Sequence, residues 1–160
     1  MTEPTLDTKV RDFLAQKRIA VAGVSREGAG RSSANAIHRR LKAAGHEVFA
    51  VNPNAQTFDD RPCWPAVGSI PGGVDAVVIV TRPEITEQIV RDCVAAGVRR
   101  VWMHASGARG SSVSADAVAF ARQNAITVIA GACPMMYGPG VDFGHRCMRL
   151  MMRLSGDLPA

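Results

Sequence analysis

The chain has 160 residues, 47% of them hydrophobic and 21% charged, a balance that predicts one globular domain with a single core and leaves no room for a second catalytic domain. No apolar run approaches the roughly 20 residues that span a bilayer. Met1 to Arg11, with Glu3, Pro4 and Asp7, lacks the basic start and apolar body of a signal peptide, so a cytoplasmic protein is expected.

Leu6, Val10, Phe13 and Leu14 predict an N-terminal helix within residues 5–17. Strands are predicted at 18–24 (RIAVAGV), 47–51 (EVFAV), 76–80 (AVVIV), 100–103 (RVWM) and 126–130 (ITVIA). Several of these are apolar nearly throughout, as parallel strands covered on both faces must be. Between them, Ala34, Ile37, Leu41 and Ala44 recur at helical spacing before Gly45, and Ile85, Ile89, Val90, Cys93 and Val94 do so before Gly97. Each glycine sits where a helix places a left-handed residue after its last turn. Val113, Ala117, Val118 and Ala121 predict a further helix capped by Ser111 or Ser112. The extension over 134–160 contains a last helix from Val141 to Leu154, rich in Met and Arg. It is expected to pack on the sheet, with Arg146, Arg149 and Arg153 on a solvated face, and no membrane partner is expected of it.

This alternation predicts an α/β fold: a doubly wound parallel sheet of Rossmann type, about five strands, with flanking N- and C-terminal helices. The core covers 18–133 of a single domain spanning 1–160. Ligands of such sheets bind beyond the carboxyl ends of the strands, where the strand order reverses.

After the first strand comes GVSREGAGRSSAN, residues 23–35. Gly23, Ser25 and Gly28 fit G-x-G-x-x-G with serine in the middle, where glycine normally lets backbone amides approach a pyrophosphate. The Ser25 hydroxyl and neighbouring amides can donate to a phosphate oxygen, and Arg26 and Arg31 supply charge. Ser32 or Ser33 is the expected cap of the next helix, which makes the connection long and the pocket wide. A binder of NAD also needs an acid after the second strand to accept the ribose hydroxyls. Here that strand runs into Asn52-Pro53-Asn54, and the first carboxylate is Asp59.

The stretches IAVAGVS (19–25), RSS (31–33), GHEVFAVNPNA (45–55), RPCWPAVGSIPGGVDAVVIVTRPE (61–84) and AAGVRRVWMHASG (95–107) carry a resemblance. The chain resembles the small single-domain CoA-binding proteins, whose Rossmann domain is shared with the N-terminal domain of the succinyl-CoA synthetase alpha subunit. The resemblance implies coenzyme A, or an acyl-CoA, along the carboxyl edge of the sheet. Gly23, Val24, Ser25 and Arg26 would meet the phosphates, with Arg31 and Ser33 nearby. Asn52 and Pro53 would border the adenosine, and Thr81, Arg82, Pro83 and His104 would line the next crevice. Two departures stand out: the loop from Ser25 to Arg31 is one residue longer than the family pattern, and His104-Ala105-Ser106-Gly107 replaces a loop that usually contains Gln.

Catalytic residues are not expected. Synthetases of this kind carry phosphate on a histidine in a separate domain. His38 and His46 lie on a helix face and at a strand start, where exposure is expected, and only His104 lies at the carboxyl end of a strand. Cys133 in GACPMMYG reads first as a small buried hydrophobe, though a thiol there could exchange with a CoA thiol. The four cysteines form no CxxC pair, and the spacing of His104, Cys133, His145 and Cys147 does not suggest a metal site. The net charge of +5 suits an anionic ligand, while scattered Lys and Arg residues and a single Tyr argue against nucleic acid. The expected activity is binding of CoA without catalysis. The alternatives are an NAD(P)-dependent oxidoreductase, which should show a charged residue directly after the second strand and a proton donor, or a protein-interaction domain with a vestigial nucleotide pocket.

Overall fold

The computed structural model describes residues 3–26, 32–107 and 110–159. In chain order it contains α1 (Leu6–Leu14), β1 (Arg18–Ala22), α2 (Ser33–Ala43), β2 (Glu47–Val51), β3 (Thr57–Phe58), β4 (Arg61–Trp64), β5 (Ala76–Ile79), α3 (Pro83–Ala95), β6 (Arg100–Met103), α4 (Ala115–Gln123), β7 (Thr127–Ala130) and α5 (Phe143–Ser155). Single 3₁₀ turns occupy Val67–Ser69 and Pro134–Met136.

The sheet order is β3-β4-β2-β1-β5-β6-β7, with every pairing parallel except β3 against β4. The chain winds outward from β1 through β2 to β4, then crosses to β5 on the other side, so the order reverses between β1 and β5. The doubly wound Rossmann reading therefore holds, with seven strands where about five were expected. The added pair, β3 and β4, comes after the second predicted strand. It turns through Asp59 and Asp60, both with positive φ (47° and 57°), a conformation that Asp tolerates better than most residues.

Alternation along the strands feeds two cores. Ile19, Val21, Ala76, Val78, Trp102 and Ile129 face the layer containing α1 and α2. Ala20, Ala22, Val77, Ile79, Val101, Met103 and Val128 face the layer containing α3 and α4. Trp102 anchors the first layer: its ring meets Phe13 edge-on at 5.4 Å, and its Nε1 donates to the Gly131 carbonyl at 3.0 Å, so its polar handle is satisfied inside the core.

Several local expectations change. Ser32 caps α2, its side chain accepting from the Asn35 amide, one of the two serines expected. For α4 the cap is Ser114, accepting from Ala117, because Ser111 and Ser112 are used elsewhere. Ser111 Oγ accepts from the Val113 amide, and Ser112 is 2% exposed, its Oγ accepting from the Thr81 amide. His38, expected to be exposed, is 5% exposed with its ring edge-on to Phe58 at 4.8 Å; the β3 strand that covers it was not foreseen. His46 is half-buried, its Nδ1 2.8 Å from the Gln16 carbonyl. Helix α5 was expected to pack on the sheet, yet none of its residues is buried. Of its apolar residues, only Met148 and Met152 rest against the core.

Candidate functional site

Register makes the carboxyl edge of the sheet level. Ala22 pairs with Val51 and with Ile79, Ile79 with Met103, and Met103 with Ala130. The ladder then runs one residue further, through Gly23 N to Val51 O (3.0 Å), Val80 N to Ala22 O (2.8 Å) and His104 N to Ile79 O (2.9 Å). Gly23, Asn52, Val80 and His104 thus form one row at the mouth of the β1–β5 reversal, where a doubly wound sheet opens a crevice.

A groove of about 1090 Å³ lies over this row, just above the roughly 300–1,000 Å³ usual for ligand sites. Of the residues expected from the sequence, it is lined by Gly23, Ser33, Asn52, Pro53, Thr81, Arg82, Pro83 and His104. Arg26 lines an adjoining cavity of about 640 Å³ that shares Pro53 and Asn54 with the groove. Ser25 lines neither, and Val24 is buried in the core. Arg31 and Gly28 fall outside the described residues.

Each position has a local cause. Gly23 has φ +106°, and a Cβ there would overlap the Val80 carbonyl oxygen. Glycine is therefore required by the close approach of two strand ends as well as by any ligand. The Ser25 backbone is held from both sides by Asn35 on α2: Ser25 N donates to Asn35 Oδ1 at 2.9 Å, and Asn35 Nδ2 donates to Ser25 O at 3.2 Å. The sequence reading missed Asn35. Its signal was available, an amide on the face of α2 that also carries Ala34, Ile37, His38 and Leu41, where only a partnered polar group is tolerated.

Asn52 is likewise occupied. Its Nδ2 donates to Val24 O at 2.6 Å and its Oδ1 accepts from Asn54 N at 2.8 Å, so it shapes the turn that replaces a ribose-binding acid. Arg26 donates from Nη2 and Nε to Asn54 O at 2.6 and 3.2 Å, tying the loop after β1 to the turn after β2.

On the other wall, α3 begins with Arg82 as N-cap and Pro83 in its first turn, where the missing proline amide costs nothing. The first turn of α2, at Ser33, lines the same groove. Two helix N-termini therefore present their partial positive charge to this space. Thr86 Oγ1 donates to Ser112 O at 2.7 Å, and Ser112 N donates to His104 O at 2.7 Å, locking the segment around 112 against α3. His104 is 4% exposed, and its Nε2 has no hydrogen-bond partner among the described residues. Burial lowers its pKa to about 4, so the imidazole is neutral at pH 7.

Cys133 is a buried thiol pushed up by burial, and burial pushes Cys93 up to about 12. Neither is the thiolate that exchange chemistry needs. Among the described residues no group of three or more His, Cys, Asp and Glu side chains could hold a metal ion, and no helix is long and apolar enough to cross a membrane.

The chain is similar to several known proteins. Over 100 residues the chain is 30% identical to ADP-forming acetate–CoA ligase II of Archaeoglobus fulgidus, covering 61% of this chain and 15% of that one. It is 28% identical over 123 residues to ligase I of the same organism, covering 73% and 18%. The chain thus spans less than a fifth of the length of these relatives. Among solved structures, a hypothetical protein from Pyrococcus horikoshii OT3 superposes with a TM-score of 0.74 at 26% identity, covering 84% of this chain and 93% of that one. The apo dinucleotide-forming acetyl-coenzyme A synthetase 1 of Ca. Korarchaeum cryptofilum superposes at 0.60 with 26% identity, covering 71% and 25%. Residues 17–139 match the CoA binding domain family, and with three-quarters of its length inside that match the chain belongs to it.

Proposed function

We propose that this protein binds coenzyme A, or an acyl-CoA, in the groove along the carboxyl edge of the sheet, and that binding without catalysis is its activity. The observation that carries the reading is the groove itself: about 1090 Å³ at the strand reversal, flanked by two helix N-termini, in a chain of the CoA binding domain family. The diphosphate lies between Gly23, Ser33 and the start of α3 at Thr81, Arg82 and Pro83. Arg26 adds positive charge at the nucleotide end. The adenosine borders Pro53 and the Asn52 turn, where a neutral amide stands in place of a ribose-binding acid. The pantetheine arm runs toward His104, whose neutral ring suits an amide or thiol better than a phosphate. A buried neutral imidazole and protonated, buried thiols do not supply the activated base or nucleophile that a transfer reaction requires.

The test is a comparison of thermal stability with CoA, NAD and NADP, since a ligand that binds only the folded state raises stability by RT ln(1 + [L]/Kd). CoA should raise the midpoint and the other two should not. Arg26→Ala should weaken CoA binding about tenfold, the effect of one lost charge-assisted contact, while leaving the unliganded midpoint in place. Stabilisation by NADP with none by CoA would replace this reading with that of an oxidoreductase domain.

A further inference from the structure

Helix α5 is the one α-helix whose described residues include none that is buried. Met148 and Met152 turn toward the core, and the Arg149 guanidinium lies 4.8 Å over the Tyr137 ring. On the opposite side, Phe143, Cys147, Leu150 and Leu154 succeed one another at spacings of four, three and four, with Met151 beside them. At 3.6 residues per turn this makes a straight seam roughly 16 Å long. Its side chains stand in solvent: Phe143 is 81% exposed, Leu150 57%, Met151 69% and Leu154 80%. Arg146 and Arg153, seven residues apart, are exposed along one border of the seam.

Between Phe143 and Gly156 there is no Asp or Glu. Asp142, just before the helix, caps it by accepting from the His145 amide at 3.0 Å, and Asp157 beyond it accepts from Ser155 Oγ. Charge therefore decides what can cover the seam. A second copy packed antiparallel would bring the two Arg-bearing borders together, because like borders meet in an antiparallel helix pair. Four guanidinium groups would share one edge, and Asp142, the acid on that border, is already held by the His145 amide and ring. A flat anionic surface meets both demands at once. The apolar seam sinks below the lipid headgroups, while the arginines extend their stems over it and place their charge at the phosphates. The seam faces away from Met148 and Met152, so the packed side of the helix is turned from the surface it would meet.

We propose that α5 docks this protein onto bilayers containing anionic lipids, lying in the interface without crossing it. The proposal does not depend on what fills the groove, since no α5 residue lines it.

The test uses the full chain with vesicles of phosphatidylcholine alone and of phosphatidylcholine mixed with phosphatidylglycerol, separated by flotation. Partitioning should be at least about tenfold stronger onto the mixed vesicles and should fall several-fold at high salt, where screening is short-ranged. Leu150→Asp with Leu154→Asp should lower it about tenfold, and Arg146→Glu with Arg153→Glu should abolish the preference for anionic lipid. Of the four cysteines Cys147 is the exposed one, so an environment-sensitive thiol dye placed there on otherwise unaltered protein reports the seam directly. Its emission should shift to the blue with mixed vesicles and stay unchanged with phosphatidylcholine. Equal partitioning onto both vesicle types, a dye that remains in water, or a dimer in sedimentation velocity that Leu150→Asp dissociates would each overturn the proposal, the last by showing a second copy on the seam.

Discussion

Helices α3 and α5 have the same length, 13 residues each, and both are amphipathic. Yet α3 seals Thr86, Val90 and Cys93 inside the protein, while α5 seals nothing. The difference lies in where the chain goes after each helix. Helix α3 connects two neighbouring parallel strands, so its crossover must lie back across the sheet. Helix α5 comes after the strand at the sheet edge, and among the described residues no later strand draws it over the core. An apolar stripe states that a face needs cover; topology decides whether the chain provides it.

Several substitutions would break or sharpen that contrast. The largest effect is expected where α3 is launched. Gly23→Ala forces a Cβ into the Val80 carbonyl at a positive φ and should cost about 4 kcal/mol in urea unfolding, the sum of backbone strain and a clash inside the sheet. A loss under about 1 kcal/mol would mean that the β1 and β5 ends separate easily.

Next comes acid. His38 and His104 both have pKa values lowered to about 4, chiefly by burial; at His38 nearby Asp59 works against the shift, while Lys42 and Arg39 add to it. With folded values below the unfolded value near 6.5, the unfolded chain binds more protons between those limits. Stability should therefore be full above about pH 6.5 and fall as pH drops toward 4, by about 3 kcal/mol for each histidine. His38→Phe should flatten about half of that slope in a pH series of chemical denaturation. A slope left intact by this change would show that His38 titrates freely.

A smaller loss is expected in the clamp on α3. Thr86→Val removes the donor to Ser112 O and leaves a buried carbonyl unpaired, at about 2 kcal/mol. Calorimetry should show it as a lowered midpoint. The smallest effect belongs to α5. Leu150→Ala should change stability by less than about 0.5 kcal/mol, since it removes an exposed side chain, while Val90→Ala in α3 should cost about 2 kcal/mol. Equal losses from the two would erase the contrast between the helices.

Most of the architecture was legible in the sequence because parallel strands buried on both faces read as short apolar runs, and because Gly45 and Gly97 mark helix ends. Both indeed have positive φ, 98° and 75°. The β3–β4 pair was hidden, since Thr57–Phe58 and Arg61–Trp64 are too short to show a period and contain Pro62. That omission propagated: without Phe58 overhead, His38 looked solvated. At the groove, the residues after each strand were findable from topology alone. What could not be read was which polar groups were already engaged. Asn52 and the Ser25 amide looked available to a ligand, but each is committed to a partner whose nearness depends on the folded chain.

That commitment has a kinetic meaning. By gripping both the amide and the carbonyl of Ser25, Asn35 fixes the direction of the peptide groups leading away from β1 before any guest arrives. The cost of ordering this part of the main chain is met during folding and is not charged to the encounter. Releasing the grip, as in Asn35→Ala, should leave the groove its shape on average but let an occupant escape sooner, raising the dissociation rate more than it slows association.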